Sequence, residues 1–306
     1  MKRILFLFSL IFVVVLAACS GGDNTDEAAK DKTPETVKYT TDDGEEIDIP
    51  KDPKRIVVMG VGYFGNLKQL DANIVGVHYL VQDSEVLSKE VGDIELIEEG
   101  NIEQVLKLDP DLIITYNTDE NINELKEVAP TIGFDYAKWN YLDVHKELGK
   151  IVGKEDQANK WVEDFEAKLA ENKKTVQDKL GTDTSVSVAE AFSKDIYIYG
   201  TNWGRGTEIL YQGLEMKVPE TIEKDVVETG WKKISAEEVA KYSGDFIFLG
   251  DGDPTTNKAI ESTSVWKNLD AVKNDRVVEF DSSTFWFNDP LSLEYQLEFI
   301  VDQLTK

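Results

Sequence analysis

The chain has 306 residues, with 33 basic against 59 acidic side chains and a formal net charge of −26. Charge of that sign excludes a nucleic-acid surface and is repelled by anionic lipid. A single cysteine, Cys19, excludes intrachain disulfides and thiolate metal sites. Two scattered histidines, His78 and His145, offer no spacing for a tetrahedral nitrogen site, and no run of carboxylates fits a calcium loop, so no site for a bare metal ion is expected.

In chain order, Met1-Lys2-Arg3 is a short basic start. Ile4 to Ala18 is then apolar except for Ser9. At 1.5 Å per residue that run reaches roughly 22 Å, short of the about 30 Å hydrocarbon core. Residues 1–18 therefore read as a signal peptide. The ending Leu16-Ala17-Ala18-Cys19 is a lipoprotein cleavage pattern that leaves Cys19 to be acylated. Cleavage removes Lys2 and Arg3 and no acid, leaving 31 basic against 59 acidic side chains, or −28. Residues 19–36 lack any apolar period and read as an acylated, flexible tether. The remainder, roughly 270 residues, is more than one core usually holds.

Residues 37–154 form the first expected domain. Val37 to Pro50 places Asp43-Gly44 between two alternating runs, a hairpin signal. Arg55 to Gly60 reads as a buried strand opening into a glycine-rich turn, and Ile74–Tyr79, Asp111–Tyr116 and Ile132–Tyr136 are further strands with helical stretches between most of them. Gly60-Val61-Gly62-Tyr63-Phe64-Gly65 matches G-x-G-x-x-G after a strand. The acid about 20 residues on, Asp83 or Glu85, falls beyond the second strand, so a glycine-rich turn beside a cleft competes with a dinucleotide site.

From Glu155 to Leu180 there is neither glycine nor proline, and apolar residues recur at helical spacing from Ala158 to Leu180. That predicts a helix of about 39 Å with one charged face, a strut between two lobes.

Residues 181–306 form the second lobe, with strands at Ser185–Phe192, Ile196–Tyr199, Asp245–Leu249 and Arg276–Phe280. An internal echo supports two similar lobes: Asn101 to Ile114 aligns without a gap on Ser235 to Phe248, each opening on a helix-capping residue and matching Glu103 with Glu237. The predicted class is α/β, two Rossmann-like lobes with largely parallel sheets joined by one long helix and a cleft between them.

Aromatic residues are the positive chemical signal. Tyr197 and Tyr199 share one side of a strand, and Trp203 follows in a turn. Phe285, Trp286 and Phe287 lie in a loop before Asn288-Asp289-Pro290 starts the last helix. Tyr116, Tyr136, Trp139 and Tyr141 form a similar set in the first half. Ligands of open α/β sheets sit beyond the carboxyl ends of strands, where most of these rings fall. Facing aromatic rims suit a bulky, partly apolar ligand of low net charge, with Arg205 between Gly204 and Gly206 as its polar anchor or, alternatively, as the partner of an acid such as Glu208. His78 and His145 read as packing or surface residues.

These residues resemble those of a known family. The lipobox Cys19, the hairpin followed by Pro53-Lys54-Arg55-Ile56-Val57-Val58, the Asn101-Ile102-Glu103 to Ile114 block, the long helix and Trp203-Gly204-Arg205-Gly206 resemble the iron-siderophore substrate-binding lipoproteins of ABC importers, closest to the hydroxamate-binding branch. The resemblance implies a non-enzymatic monomer with no resident cofactor, two lobes on one rigid helix and little hinge motion. It implies that Tyr116, Tyr136, Tyr197, Trp203, Arg205 and Trp286 touch the ferric siderophore and that Glu103 and Glu237 dock to arginines of the permease. It also implies that lipidated Cys19 holds the protein on the outer face of the cell membrane. Catecholate binders of the family use several basic residues, and the expected cleft offers only Arg205, so a neutral or weakly cationic ferric trihydroxamate of ferrichrome or ferrioxamine type suits it better. Haem binders of related fold use Met or His, and Met59, Met216, His78 and His145 lie outside the aromatic segments. Another iron chelate, haem, cobalamin or a cell-surface α/β enzyme are the alternatives.

Overall fold

The computed structural model describes residues 35–192 and 194–306. The signal segment, Cys19 and the tether up to residue 34 lie outside the described residues. Among those described, no helix is long and apolar enough to cross a membrane.

The first element is the expected hairpin. β1 (Thr36–Thr40) pairs antiparallel with β2 (Glu46–Pro50), and Gly44 adopts φ +85° in the connecting turn. Asp42 in that turn accepts from the Trp139 indole at 2.7 Å and the Asp135 amide at 2.8 Å, which docks the hairpin on the first lobe.

The first lobe holds a wholly parallel sheet of β3 (Ile56–Val58), β4 (Ile74–His78), β5 (Glu95–Ile97), β6 (Leu112–Tyr116) and β7 (Thr131–Phe134), in the order β5-β4-β3-β6-β7. Its central strands are β-branched runs buried on both faces, as parallel sheets flanked by helices require. The three residues of β5 carry too little alternation to be read from sequence.

The second sheet is mixed. β8 (Val186–Phe192), β11 (Phe246–Gly250) and β12 (Val277–Phe280) run parallel, while β9 (Asp195–Tyr199) is antiparallel to β8 and to β10 (Trp231–Ile234). Tyr197 and Tyr199 are therefore placed by the face of an antiparallel strand. The carboxyl-end rule that locates Tyr116 and Trp286 does not apply to them.

The long helix spans Glu155–Leu180, as its apolar spacing predicts. It links two cores: Ala158 belongs to that of the first lobe, and Trp161, Val162, Phe165, Leu169 and Val176 to that of the second. His145 is fully buried, its ring 5.0 Å from Trp161 and its Nδ1 3.1 Å from Asn66 Oδ1. Burial pushes it down to about 4, so it stays neutral at physiological pH and acts as a packing residue.

A second tie joins the lobes. Phe285 and Phe287, both expected in a loop, are core residues: Phe287 is buried in the core of the first lobe, while Phe285 two residues earlier is buried in that of the second. Asp289 caps the last helix (Pro290–Thr305) and packs so closely on Gly65 that a Cβ there would lie 1.8 Å from Asp289 Oδ1. Gly65→Ala is thus expected to destabilise the chain by about 3 kcal/mol through overpacking. Denaturant unfolding with an unchanged midpoint would show that the two surfaces can part without cost.

The same contacts decide the G-x-G-x-x-G segment. Gly60 has φ −76°, the Gly62 N–H donates to the Tyr116 hydroxyl at 2.9 Å, and the face of Gly65 is filled by a carboxylate. The amide that a phosphate would need is taken, and an acid stands in its path, so the segment is a packing turn.

The internal echo is also only partly structural. Asn101 caps the Ile102–Lys107 helix through the Gln104 N–H at 3.1 Å, but Ser235 caps nothing with its side chain. Its backbone N–H instead donates to Glu238, and the helix there is a single turn, Val239–Tyr242. Both Glu103 and Glu237 are exposed.

Candidate functional site

The Trp203–Thr207 turn is built on three successive left-handed residues: Gly204 (φ +65°), Arg205 (+57°) and Gly206 (+78°). For Arg205 that conformation costs about 1–2 kcal/mol, so its surroundings must impose it. They do so from several sides. The Arg205 N–H donates to Phe285 O at 2.6 Å, the Gly204 N–H to Glu208 Oε1 at 2.9 Å and the Trp203 N–H to Thr207 Oγ1 at 3.0 Å. A Cβ on Gly204 would meet Trp286 O at 2.5 Å and one on Gly206 the Ile300 side chain at 2.9 Å, so glycine is required at both. A π-helical turn, Glu208–Gly213, follows at once, a rare element that often marks functional sites.

Arg205 does not pair with Glu208. Its Nε donates to Glu190 Oε2 at 3.1 Å and its Nη1 to Trp203 O at 3.2 Å, while its guanidinium lies 4.6 Å from the Tyr199 ring centre and 5.3 Å from that of Trp286. Nη2 has no partner among the described residues, so one edge of the fork remains for a ligand. Glu190, with no exposed surface, also accepts from the Tyr199 hydroxyl at 2.8 Å and the Trp286 indole at 3.0 Å, and it bonds Ser282. Burial alone would push its carboxyl up; Arg205 and these three donors outweigh burial and hold it below the ordinary carboxylate range. Glu190 therefore fixes three of the side chains that line the cavity, Tyr199, Arg205 and Trp286.

The cavity itself holds about 230 Å³ and is lined by Phe192, Tyr197, Tyr199, Trp203, Arg205, Trp231 and Trp286. Tyr197, Trp203, Arg205 and Trp286 come together as expected. Phe192 and Trp231 were missed; each is 43% exposed, and they pack edge-on to Trp286 at 6.0 Å and Tyr197 at 5.6 Å. A tryptophan directly after Gly230 was the available signal for Trp231, and a lone carboxylate inside an apolar strand was the signal for Glu190. Trp203 lies against Gly230, where a Cβ would come within 2.5 Å of the indole.

The first lobe contributes Tyr136, whose ring stands edge-on to Trp203 at 5.8 Å, and Tyr116, 6.5 Å from Tyr136. Asn288 links the lobes by donating to both the Tyr136 hydroxyl and Glu208, each at 3.2 Å. Trp139 and Tyr141, expected at the rim, are structural: Trp139 is hydrogen-bonded to Asp42 and Tyr141 is buried in the core of the second lobe. Burial pushes the Tyr116 phenol up to about 12 and raises Tyr136 and Tyr199 as well, so these phenols stay protonated and are poor ligands for bare iron. They can pack against and hydrogen-bond a complex that is already formed. Among the described residues no group of His, Cys, Asp or Glu could hold a metal ion.

Met59 and His78, unrelated in sequence, line one cavity of the first lobe together with Glu99, Asp119 and Glu120. Those carboxylates would oppose the propionates of a haem.

Residues 56–284 match the family model described as periplasmic binding protein. The chain is 37% identical to the iron(3+)-hydroxamate-binding protein FhuD of Bacillus subtilis (strain 168), over 98% of this chain and 96% of that protein. Among solved structures, the FhuD protein from S. pseudintermedius matches with a TM-score of 0.83 and 45% identity, covering 89% of this chain and 98% of that one. FhuD2 from Staphylococcus aureus with bound ferrioxamine B matches with a TM-score of 0.80 and 42% identity, covering 83% and 98%. Two α/β lobes on one long helix, an aromatic cavity with a guanidinium and this near full-length similarity converge: the chain belongs to the periplasmic binding protein family, alongside its FhuD-type members.

Proposed function

We propose that this chain is the extracytoplasmic receptor of an ABC importer, capturing ferric hydroxamate siderophores and passing them to the permease without chemical change. The observation that carries the reading is the Arg205–Glu190 pair beneath the aromatic cavity. The guanidinium offers donors to hydroxamate oxygens, yet its charge is already balanced by a buried carboxylate. A neutral complex is therefore matched, whereas a trianionic catecholate would be desolvated without compensating charge. Similarity to the iron(3+)-hydroxamate-binding protein and to the ferrioxamine complex points the same way. In this reading Tyr116, Tyr136, Tyr197, Trp203, Arg205 and Trp286 contact the ligand, Glu103 and Glu237 dock to the permease, and acylated Cys19 holds a monomeric receptor at the outer face of the membrane.

Tryptophan fluorescence tests it. Ferrichrome and ferrioxamine B should quench emission saturably, with Trp203→Ala and Arg205→Ala each weakening binding about 10-fold or more, as expected of central aromatic and arginine contacts. A ferric triscatecholate should bind far more weakly. Absence of saturable quenching by any ferric trihydroxamate overturns the proposal.

A further inference from the structure

The aromatic cavity, at about 230 Å³, falls below the roughly 300–1,000 Å³ typical of small-molecule sites, so a ferric trihydroxamate seated there must extend beyond it. Along the ring contacts from Trp203 through Tyr136, the next surface reached is Tyr116, and Tyr116 lines the larger cavity of the first lobe, about 580 Å³. That cavity opens at the carboxyl ends of β3, β4 and β6, where the strand order β5-β4-β3-β6-β7 reverses direction, the position at which open α/β sheets take ligands.

Its chemistry is one-sided. Glu99, Asp119 and Glu120 line it, and no lysine or arginine does. Asp119 is held in place by the Thr115 hydroxyl at 2.6 Å and the Asn121 N–H at 2.8 Å, while Glu99 and Glu120 are exposed and free of ion pairs among the described residues. His78 is only 8% exposed, and its Nδ1 accepts from the Leu80 N–H at 3.3 Å. That bond places the proton on Nε2, which has no partner among the described residues, and the His78 side chain lines the cavity. Burial pushes the imidazole down, so it faces the cavity as a neutral donor that does not repel a cation.

Resting on the receptor reading above, we propose that this cavity is a subsite for an ammonium-bearing arm of a ferric hydroxamate. The exposed carboxylates of Glu99 and Glu120 take the ammonium, since both oxygens of Asp119 already accept from Thr115 and Asn121, and His78 Nε2–H donates to a carbonyl of the same arm. The iron-bearing core then sits against Arg205 and the arm's positive end lies away from it, so the charge layout of the cleft orients a linear cationic ligand in one direction only.

The experiment compares ferrioxamine B, which ends in a primary ammonium, with its N-acetylated derivative, by fluorescence titration of the wild-type chain and the Glu99→Gln/Glu120→Gln variant. The ammonium ligand should bind the wild type about five-fold more tightly, from two exposed charge pairs, and this preference should shrink at high salt. In the double variant the preference should vanish while the affinity for the acetylated ligand stays unchanged. Equal affinities in the wild type, or a preference that survives the double substitution, overturn the subsite and leave the receptor reading standing. If neither ligand binds the wild type, the receptor reading fails and the subsite fails with it.

Discussion

Glu190→Ala is expected to weaken binding of a ferric trihydroxamate about 100-fold, more than removal of any one ring that lines the cavity. Glu190 makes no contact with the cavity, but it accepts from Arg205, Tyr199 and Trp286 at 3.1, 2.8 and 3.0 Å. Without it the guanidinium is a partly buried charge with no counter-ion, and the rings that sandwich it lose their anchor. Removing one member of such a pair also costs about 3 kcal/mol of stability. Glu190→Gln separates positioning from mere folding. It keeps the side-chain volume and one carbonyl acceptor but leaves the site with an uncompensated positive charge. The ratio of affinities should then move toward anionic chelates, with ferric triscatecholate gaining relative to ferrichrome. Titrating both ligands against both variants reads this directly. An unchanged ratio in the glutamine variant would mean that the carboxylate's charge has no part in selection.

The second large effect concerns delivery. Glu103→Ala combined with Glu237→Ala should leave ligand affinity as in the wild type and reduce ferric hydroxamate uptake by cells to background. Both side chains are exposed, neither joins an ion pair among the described residues, and neither lines the aromatic cavity. Truncating one partner of a desolvated interfacial charge pair typically costs about 2–5 kcal/mol, so losing two would weaken docking by about a thousand-fold or more. Each single variant should retain partial uptake. If affinity for the siderophore fell in the purified double variant, these acids would belong to ligand binding instead.

Much of this molecule was legible because its signals are local. The Asp43-Gly44 hairpin, the apolar spacing of Glu155–Leu180 and the capped start of the last helix at Asp289-Pro290 each rest on residues close in sequence. Backbone stereochemistry and helical or alternating periodicity act at that range. The β-branched runs of β3 and β6 and the largely apolar run of β8 declared themselves in the same way, and Trp203-Gly204-Arg205-Gly206 stood out because only a sharply turned backbone needs glycine on both sides of a cation. The weaker cases fail for the same reason. β5 (Glu95-Leu96-Ile97) and β10 (Trp231-Lys232-Lys233-Ile234) carry charged residues that break up the apolar run by which the equally short β3 and β7 are read, and Ser235 has a capping sequence without a capped helix.

Tertiary structure decided what depends on partners distant in the chain. The sequence supplied Arg205 but not its counter-ion, because Glu190 lies one strand and a turn away and reaches the guanidinium only through the antiparallel pairing of β8 with β9. Phe285 and Phe287 look alike in sequence, yet the backbone between them carries one into each lobe's core. Tyr116 and Asp289 close on a glycine-rich segment that would otherwise suit a phosphate. Period and propensity are properties of neighbours along the backbone, whereas charge balance, close approach and cavity shape arise only when distant segments are brought within a few ångströms.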